Sequence, residues 1–350
     1  MKIMYWVAFM PIERVFFWKN NSEYWIDEEM LDYIEKILGE RRILLSAGLW
    51  AHYYGKKLNK KNSLVLADSG GFQYLRMSKG TQKEFYRSRE QYYKWQISVG
   101  DIVVMGDIPS AGEVPRHDLE RFLGYTIDNV NYQIGLDPSV KGKFLNVMHG
   151  ISPSNLRLWY DGMKDYECMG WAIGAKPVSN FIGFALQFLL LYEKGEFNKR
   201  KFIHIFGVAG ARTLFPLLEL IHRVDDSITV SLDSSSQSLG RIGAVWTTGG
   251  TIVHYNDIRS GRVRYKLLNG PTLDFIPDKI GYDLGRSIAI TSMVNYLKFW
   301  KNDIYPVIEK GGQHSPAVDR VMKLWKTGGI DAIWFENSKR WRERSVERLV

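Results

Sequence analysis

One pattern constrains this chain more than any other: short aliphatic runs alternate with longer helical ones. The short runs fall at 42–47 (RILLSA), 63–68 (SLVLAD), 101–107 (DIVVMGD), 143–149 (KFLNVMH), 170–175 (GWAIGA), 202–208 (FIHIFGV) and 227–233 (SITVSLD). Between them, helical patterns cover 83–98, 116–134, 153–165, 179–194 and 212–223, with Ser152 placed to cap the third. The strands are apolar on both faces, so both faces must be covered, as in a parallel sheet wrapped by helices. The number of units favours a closed (β/α)8 TIM barrel, an α/β fold; an open sheet is the alternative that the same alternation allows.

Beyond residue 233 the pattern thins. Residues 245–275 read as short strands and turns, and helices resume near 283–300 and 315–326. The tail interleaves Lys339, Arg340, Arg342, Arg344 and Arg348 with Glu336, Glu343 and Glu347, the composition of a solvated terminal helix. The expected organisation is a barrel over 1–300 and a helical extension, 301–350, packed on it. No internal repeat or low-complexity linker interrupts the chain.

Composition narrows the partners. Apolar residues make up 45% and aromatic residues 14%, which excludes a disordered chain and supplies a large core. Lys and Arg outnumber Asp and Glu by 47 to 38, and the resulting +9 attracts polyanions, of which nucleic acid is the usual one. A single cysteine, Cys168, excludes an intrachain disulfide and a zinc site of several thiolates, and fits a reducing cytoplasm. The apolar N-terminal run is broken by Pro11, Glu13 and Arg14 and has no signal-cleavage pattern; the apolar run at 181–192 is too short to span a bilayer and reads as a buried helix face. No membrane association is expected.

In a barrel the active site lies at the C-terminal ends of the strands, where the βα loops converge. Asp68 ends one strand, before Ser69, Gly70, Gly71, Phe72 and Gln73. Asp107 ends another after Gly106, His149 and Gly150 end a third, Gly174 and Ala175 a fourth, and Asp233 a later one, followed by Ser234, Ser235 and Ser236. Taken singly, each is an ordinary turn or cap. Three acids at three strand ends are harder to dismiss. Converging carboxylates suit glycosyl chemistry, in which one attacks the anomeric carbon and another moves the proton of the leaving or entering group.

The same segments resemble the tRNA-guanine transglycosylase superfamily. The most specific is LADSGGFQ at 66–73, followed in order by GD at 106–107, MHG at 148–150, WAIGA at 171–175, HIFGVA at 204–209 and SLDSSS at 231–236. The resemblance covers roughly residues 40–245, and its last two segments look like the archaeosine-type branch. It implies a (β/α)8 barrel in which Asp233 is the nucleophile toward C1′ of the target nucleotide and Asp68 the general acid/base. It further implies that Asp107 reads the guanine-like edge and that Gly174 and Ala175 meet the base through their backbone. Phe72 and Phe206 would sandwich the ring, while Ser69, Gly70, Gln73, His149 and Gly150 complete the pocket. His149 stands where that family usually has Gln. No cofactor is implied.

Two departures point within the family. Bacterial and archaeal relatives usually hold a zinc ion with three cysteines and a histidine after the nucleophile strand, and no cysteine follows Cys168 here. Nor is there room for the long C-terminal RNA-binding modules of the archaeal members. Both features resemble the DNA-modifying branch, often encoded by phages or genomic islands, which inserts a 7-deazaguanine derivative into DNA. The expected partners are therefore DNA and a free 7-deazaguanine-type base, in the cytoplasm of the cell or of a phage's host. The alternatives are a tRNA enzyme of the same mechanism, a noncatalytic nucleic-acid-binding partner, and a hydrolase that removes bases without replacing them. A homodimer is consistent with the family.

Overall fold

A computed structural model describes residues 1–9, 16–19, 23–47, 57–71, 87–109, 113–174, 181–208, 211–234, 244–248, 250–277, 282–310 and 314–347. Eight parallel strands close into a barrel: β1 (Lys2–Phe9), β2 (Arg42–Ser46), β3 (Leu64–Asp68), β4 (Ile102–Val104), β5 (Phe144–Met148), β6 (Gly170–Ile173), β7 (Phe202–Ile205) and β8 (Thr229–Ser234). Neighbours in sequence pair in order from β2 to β8, and β1 closes the ring between β8 and β2. In register, Trp6 lies beside Asp233, and Ser46 beside Asp68. The (β/α)8 expectation is met, with one strand that sequence reading left unassigned: β1, inside the broken apolar N-terminal run.

Helices follow most strands: α1 (Glu28–Leu38), α2 (Arg89–Val99), α3 (Arg116–Leu136), α4 (Pro153–Met163), α5 (Phe181–Glu193), α6 (Ala211–Val224) and α7 (Tyr282–Phe299). The strand residues sort into two cores by alternation. Tyr5, Val7, Ile43 and Leu45 pack outward against the helices. Trp6, Ala8, Leu44, Leu66, Val104, Leu145, Val147 and Ala172 fill the barrel interior. Several expected strands end earlier than their apolar runs, β4 at Val104 and β6 at Ile173, because the backbone leaves the ladder to turn at the mouth.

Ser152 occupies the N-cap position of α4, as expected, but its side chain makes no capping bond. Glu113 does that work from another loop. Its Oε2 accepts from the backbone N–H groups of Ile151 (3.1 Å) and Ser152 (2.8 Å), and its Oε1 accepts from Asn155 Nδ2 (2.8 Å). A carboxylate at a helix N-terminus also meets the favourable end of the helix dipole.

From Gly183 to Leu191, α5 is buried on every side. A helix apolar all round needs cover all round. The barrel covers one side, and α8 (Pro316–Glu347) lies against α4, α5 and α6 on the other. Within α8, Gly328 and Gly329 leave helical geometry, the second with φ of 62°, so the segment is two helices joined at a kink. Residues 244–277 form two short antiparallel hairpins, Ala244–Trp246 with Ile252–His254 and Tyr265–Lys266 with Thr272–Leu273, over a small core of Val245, Tyr265, Ile276 and Ile288. Among the described residues, no helix is long and apolar enough to cross a membrane.

Candidate active site

The inward alternation that fills the barrel continues to its C-terminal rim and there turns polar. Two residues beyond Leu66 comes Asp68; beyond Val147, His149; beyond Ala172, Gly174; and on β8, Ser231 is followed by Asp233. The three acids expected from sequence meet at this rim. Burial, which disfavours the charged form, is the main cause that raises the Asp68 carboxyl to about 7; the charges of Asp107 and Asp233 raise it further, while hydrogen bonds from the Ser46 side chain and the Gly70 backbone pull it down. Both acids are thus near enough for their charges to be felt at Asp68. Solvent still reaches the Asp68 side chain, whereas Asp107 and Asp233 are buried.

The turn after β3 is shaped for these contacts. Gly70 has φ of 83°, which glycine adopts at no steric cost, and its N–H donates to Asp68 Oδ2 at 3.3 Å. Gly71 packs so closely that a Cβ there would lie 2.7 Å from the Asp107 carbonyl oxygen. The Ser69 hydroxyl donates to Asp107 Oδ1 at 2.7 Å, and His149 Nε2 lies 2.8 Å from Asp107 Oδ2. Each oxygen of Asp107 therefore has a fixed protein partner. His149 is held in turn by an edge-on contact with the Trp159 ring, 4.6 Å between centroids.

Below Asp107 lies a buried amide pair. Gln96 of α2 donates through Nε2 to the carbonyl oxygens of Ala67 and Val104, both at 2.8 Å. Gln133 of α3 donates to Gln96 Oε1 at 2.7 Å and accepts from the Gly106 N–H at 2.8 Å. The Ile108 N–H donates to Thr126 Oγ1 at 2.9 Å. The backbone on both sides of Asp107 is thereby pinned to α3, and the ends of β3 and β4 are tied to one another.

Asp233 has its described contacts on the side of β7. Of the serines that follow it, Ser235 and Ser236 lie outside the described residues, and the Ser234 side chain is likewise not described. The contacts present come from β7. The Gly207 N–H donates to Asp233 Oδ1 at 2.9 Å, in a turn where Gly207 has φ of 70°, and His204 Nε2 lies 3.4 Å from the same oxygen. One layer deeper, His204 Nδ1 and Ser231 Oγ are 2.8 Å apart, and the Trp6 indole N–H donates to Ser231 Oγ at 2.7 Å. Sequence reading did not single out His204, Ser231, Trp6, Ser46 or Gly207. For two of them the signal was parity: Ser231 precedes Asp233 by two, and His204 precedes Phe206 by two.

Phe206 packs edge-on against His204 at 4.3 Å and lies over Gly174, where a Cβ would come within 2.8 Å of the ring. Half-buried, it keeps part of its face at the mouth. Gly150 has φ of 95° and accepts from Gln187 Nε2 at 2.7 Å through its carbonyl, so its visible role is in the turn after His149. Phe72, Gln73 and Ala175, also expected at the site, lie outside the described residues. The structure thus brings together Asp68, Ser69, Gly70, Asp107, His149, Gly174, Phe206 and Asp233. Among the described residues, no group of three or more His, Cys, Asp and Glu side chains is arranged to hold a metal ion. No protein-family model matches the chain, and no curated protein matches it.

Proposed function

We propose that this chain is a base-exchange transglycosylase that replaces guanine in DNA with a 7-deazaguanine derivative through a covalent bond between Asp233 and C1′. The observation that carries this reading is the meeting of Asp68, Asp107 and Asp233 at one barrel rim, with their different environments. Asp68, raised to about 7, can hold or release a proton near neutrality. Asp107 keeps one lone-pair direction on each oxygen beyond those facing Ser69 and His149, which suits the two N–H groups along a guanine edge. Phe206 offers a ring for stacking, and the +9 charge suits a phosphate backbone.

The steps balance. A base stacked in a duplex cannot present C1′ to a carboxylate, so the nucleotide is extruded or already unpaired. Asp233 Oδ2 forms a bond to C1′ as the C1′–N9 bond breaks; the electron pair goes to the departing guanine, which takes the proton of Asp68. The incoming base then gives its N9 proton to Asp68, N9 bonds to C1′, and the C1′–Oδ2 bond breaks to return Asp233 as a carboxylate. Two inversions give net retention, with ping-pong kinetics.

The choice of DNA over tRNA rests on the resemblance and on the lack of any cysteine after Cys168. The test is incubation of the protein with labelled 7-deazaguanine bases and either DNA or tRNA, with mass spectrometry of the recovered nucleosides. Label in DNA and a denaturation-stable protein–DNA adduct are expected, and Asp233→Asn abolishes both. Label in tRNA alone would reassign the substrate. Free sugar ends without incorporation would make the protein a hydrolase, and an Asn variant with the wild-type rate would remove the mechanism.

A further inference from the structure

His204 and Ser231 are polar, fully buried, and set in the barrel interior one layer beneath the rim, where neither can touch a nucleotide. Burying such groups is costly unless each is paired. Their pairing has a direction. The Trp6 indole nitrogen can only donate, so Ser231 Oγ accepts from it at 2.7 Å. The Ser231 hydroxyl proton then needs an acceptor, and His204 Nδ1 lies 2.8 Å away. A ring that accepts at Nδ1 in its neutral form carries its proton on Nε2. That nitrogen is buried without a hydrogen-bond partner, and it lies 3.4 Å from Asp233 Oδ1. The Gly207 N–H already donates to the same oxygen at 2.9 Å.

We propose that His204 is a positioning residue for the nucleophile: with its tautomer fixed by Ser231 and Trp6, it joins the Gly207 N–H in holding Oδ1 of Asp233, leaving Oδ2 to attack C1′. This rests on the base-exchange reading. Both donors address the carboxylate more strongly than the ester, because the charge that they stabilise is absent once Oδ2 is bonded to carbon. They therefore favour the step in which Asp233 leaves C1′ over the step in which it attacks. Loss of the His204 donor slows the second half of the exchange more than the first, and the covalent adduct accumulates.

The experiment compares wild type, His204→Phe and His204→Gln in separate half-reactions: guanine release with adduct formation, and discharge of the adduct by an added 7-deazaguanine base. His204→Phe keeps an aromatic ring without a donor, and discharge is expected to slow at least about tenfold while adduct formation changes by less than about threefold. His204→Gln restores an N–H toward Asp233 and recovers most of the discharge rate. In parallel, nitrogen NMR on histidine-labelled protein, with the His204 signals identified by their loss in the Gln variant, is expected to show Nε2 protonated and Nδ1 bare. Equal slowing of both half-reactions, unchanged rates in the Phe variant, or no recovery with Gln overturns the assignment. An Nδ1-protonated ring in an active protein removes the clamp alone. A wild-type protein that forms no adduct with DNA or tRNA removes the reaction itself, and the half-reaction role with it.

Discussion

Replacing Asp68 with Asn should stabilise the protein at alkaline pH while abolishing the proposed exchange, and the size of the effect follows from the site. The carboxyl is raised from 3.8 to about 7, chiefly by burial and then by the charges of Asp107 and Asp233. Three units at about 1.4 kcal/mol each set an upper bound of about 4 kcal/mol on the cost of keeping Asp68 ionised in the fold. Solvent reaches the side chain and the three acids share their charge, which lowers the cost to about 2 kcal/mol. The Asn oxygen can still accept from Gly70, and its NH2 can donate to the Ser46 hydroxyl, so both polar contacts have a partner. The sign follows from linkage. Between the unfolded value near 3.8 and the folded value near 7, the folded state binds the extra proton, so wild-type stability falls as pH rises through that window and levels off above it. The Asn variant lacks this loss. Its advantage is therefore full at about pH 8, shrinks toward about pH 5, and vanishes below about pH 4. For a chain of this size, about 2 kcal/mol corresponds to roughly 3 °C in melting temperature. Thermal or urea unfolding of both proteins across that range measures it. An offset that is the same at both ends of the range, or an Asn variant that is the less stable at alkaline pH, would refute the argument that Asp68 is held above its ordinary range by its surroundings.

On the proposed mechanism, the same carboxyl sets opposite pH dependences on the two half-reactions. Guanine release needs Asp68 protonated and should fall about tenfold per unit above about pH 7, whereas discharge by the incoming base needs it ionised and should fall below that value; single-turnover rates across pH test both limbs. Removing the His149 ring (His149→Ala) frees Asp107 Oδ2 and is expected to weaken incoming-base binding about tenfold, while His149→Gln, which keeps a donor, stays close to wild type; equilibrium binding of a 7-deazaguanine distinguishes the two.

Much of this molecule is legible in its sequence because its strands are short, apolar on both faces and separated by helices, and because the candidate site sits where the strands stop. Asp68, Asp107 and Asp233 could be picked out on that basis alone. β1 could not: its partners β2 and β8 begin at residues 42 and 229, so nothing local to residues 2–9 marks them as the closing strand, and their continuous apolar character suits several structures equally well. Ser152 illustrates a second limit, since the helix start was visible but its true capping group, Glu113, comes from a loop some forty residues earlier. His204 and Ser231 were hidden by their neighbours. In HIFGVA and SLDSSS the conspicuous residues lie at the rim, and only strand parity, applied once the barrel is known to close, turns His204 and Ser231 toward one another.

The way β1 slots between β2 and β8 has a consequence for how the protein comes into being. Trp6 and Asp233, the proposed nucleophile, are side by side in space but more than two hundred residues apart along the polypeptide. A nascent chain emerging from the ribosome can pair its first strand with β2 early, yet the other edge of that strand must wait, unpaired, until β8 arrives. Long-range pairings of this kind are entropically slow to form. The proposed nucleophile, Asp233, is therefore among the last barrel residues to acquire its surroundings.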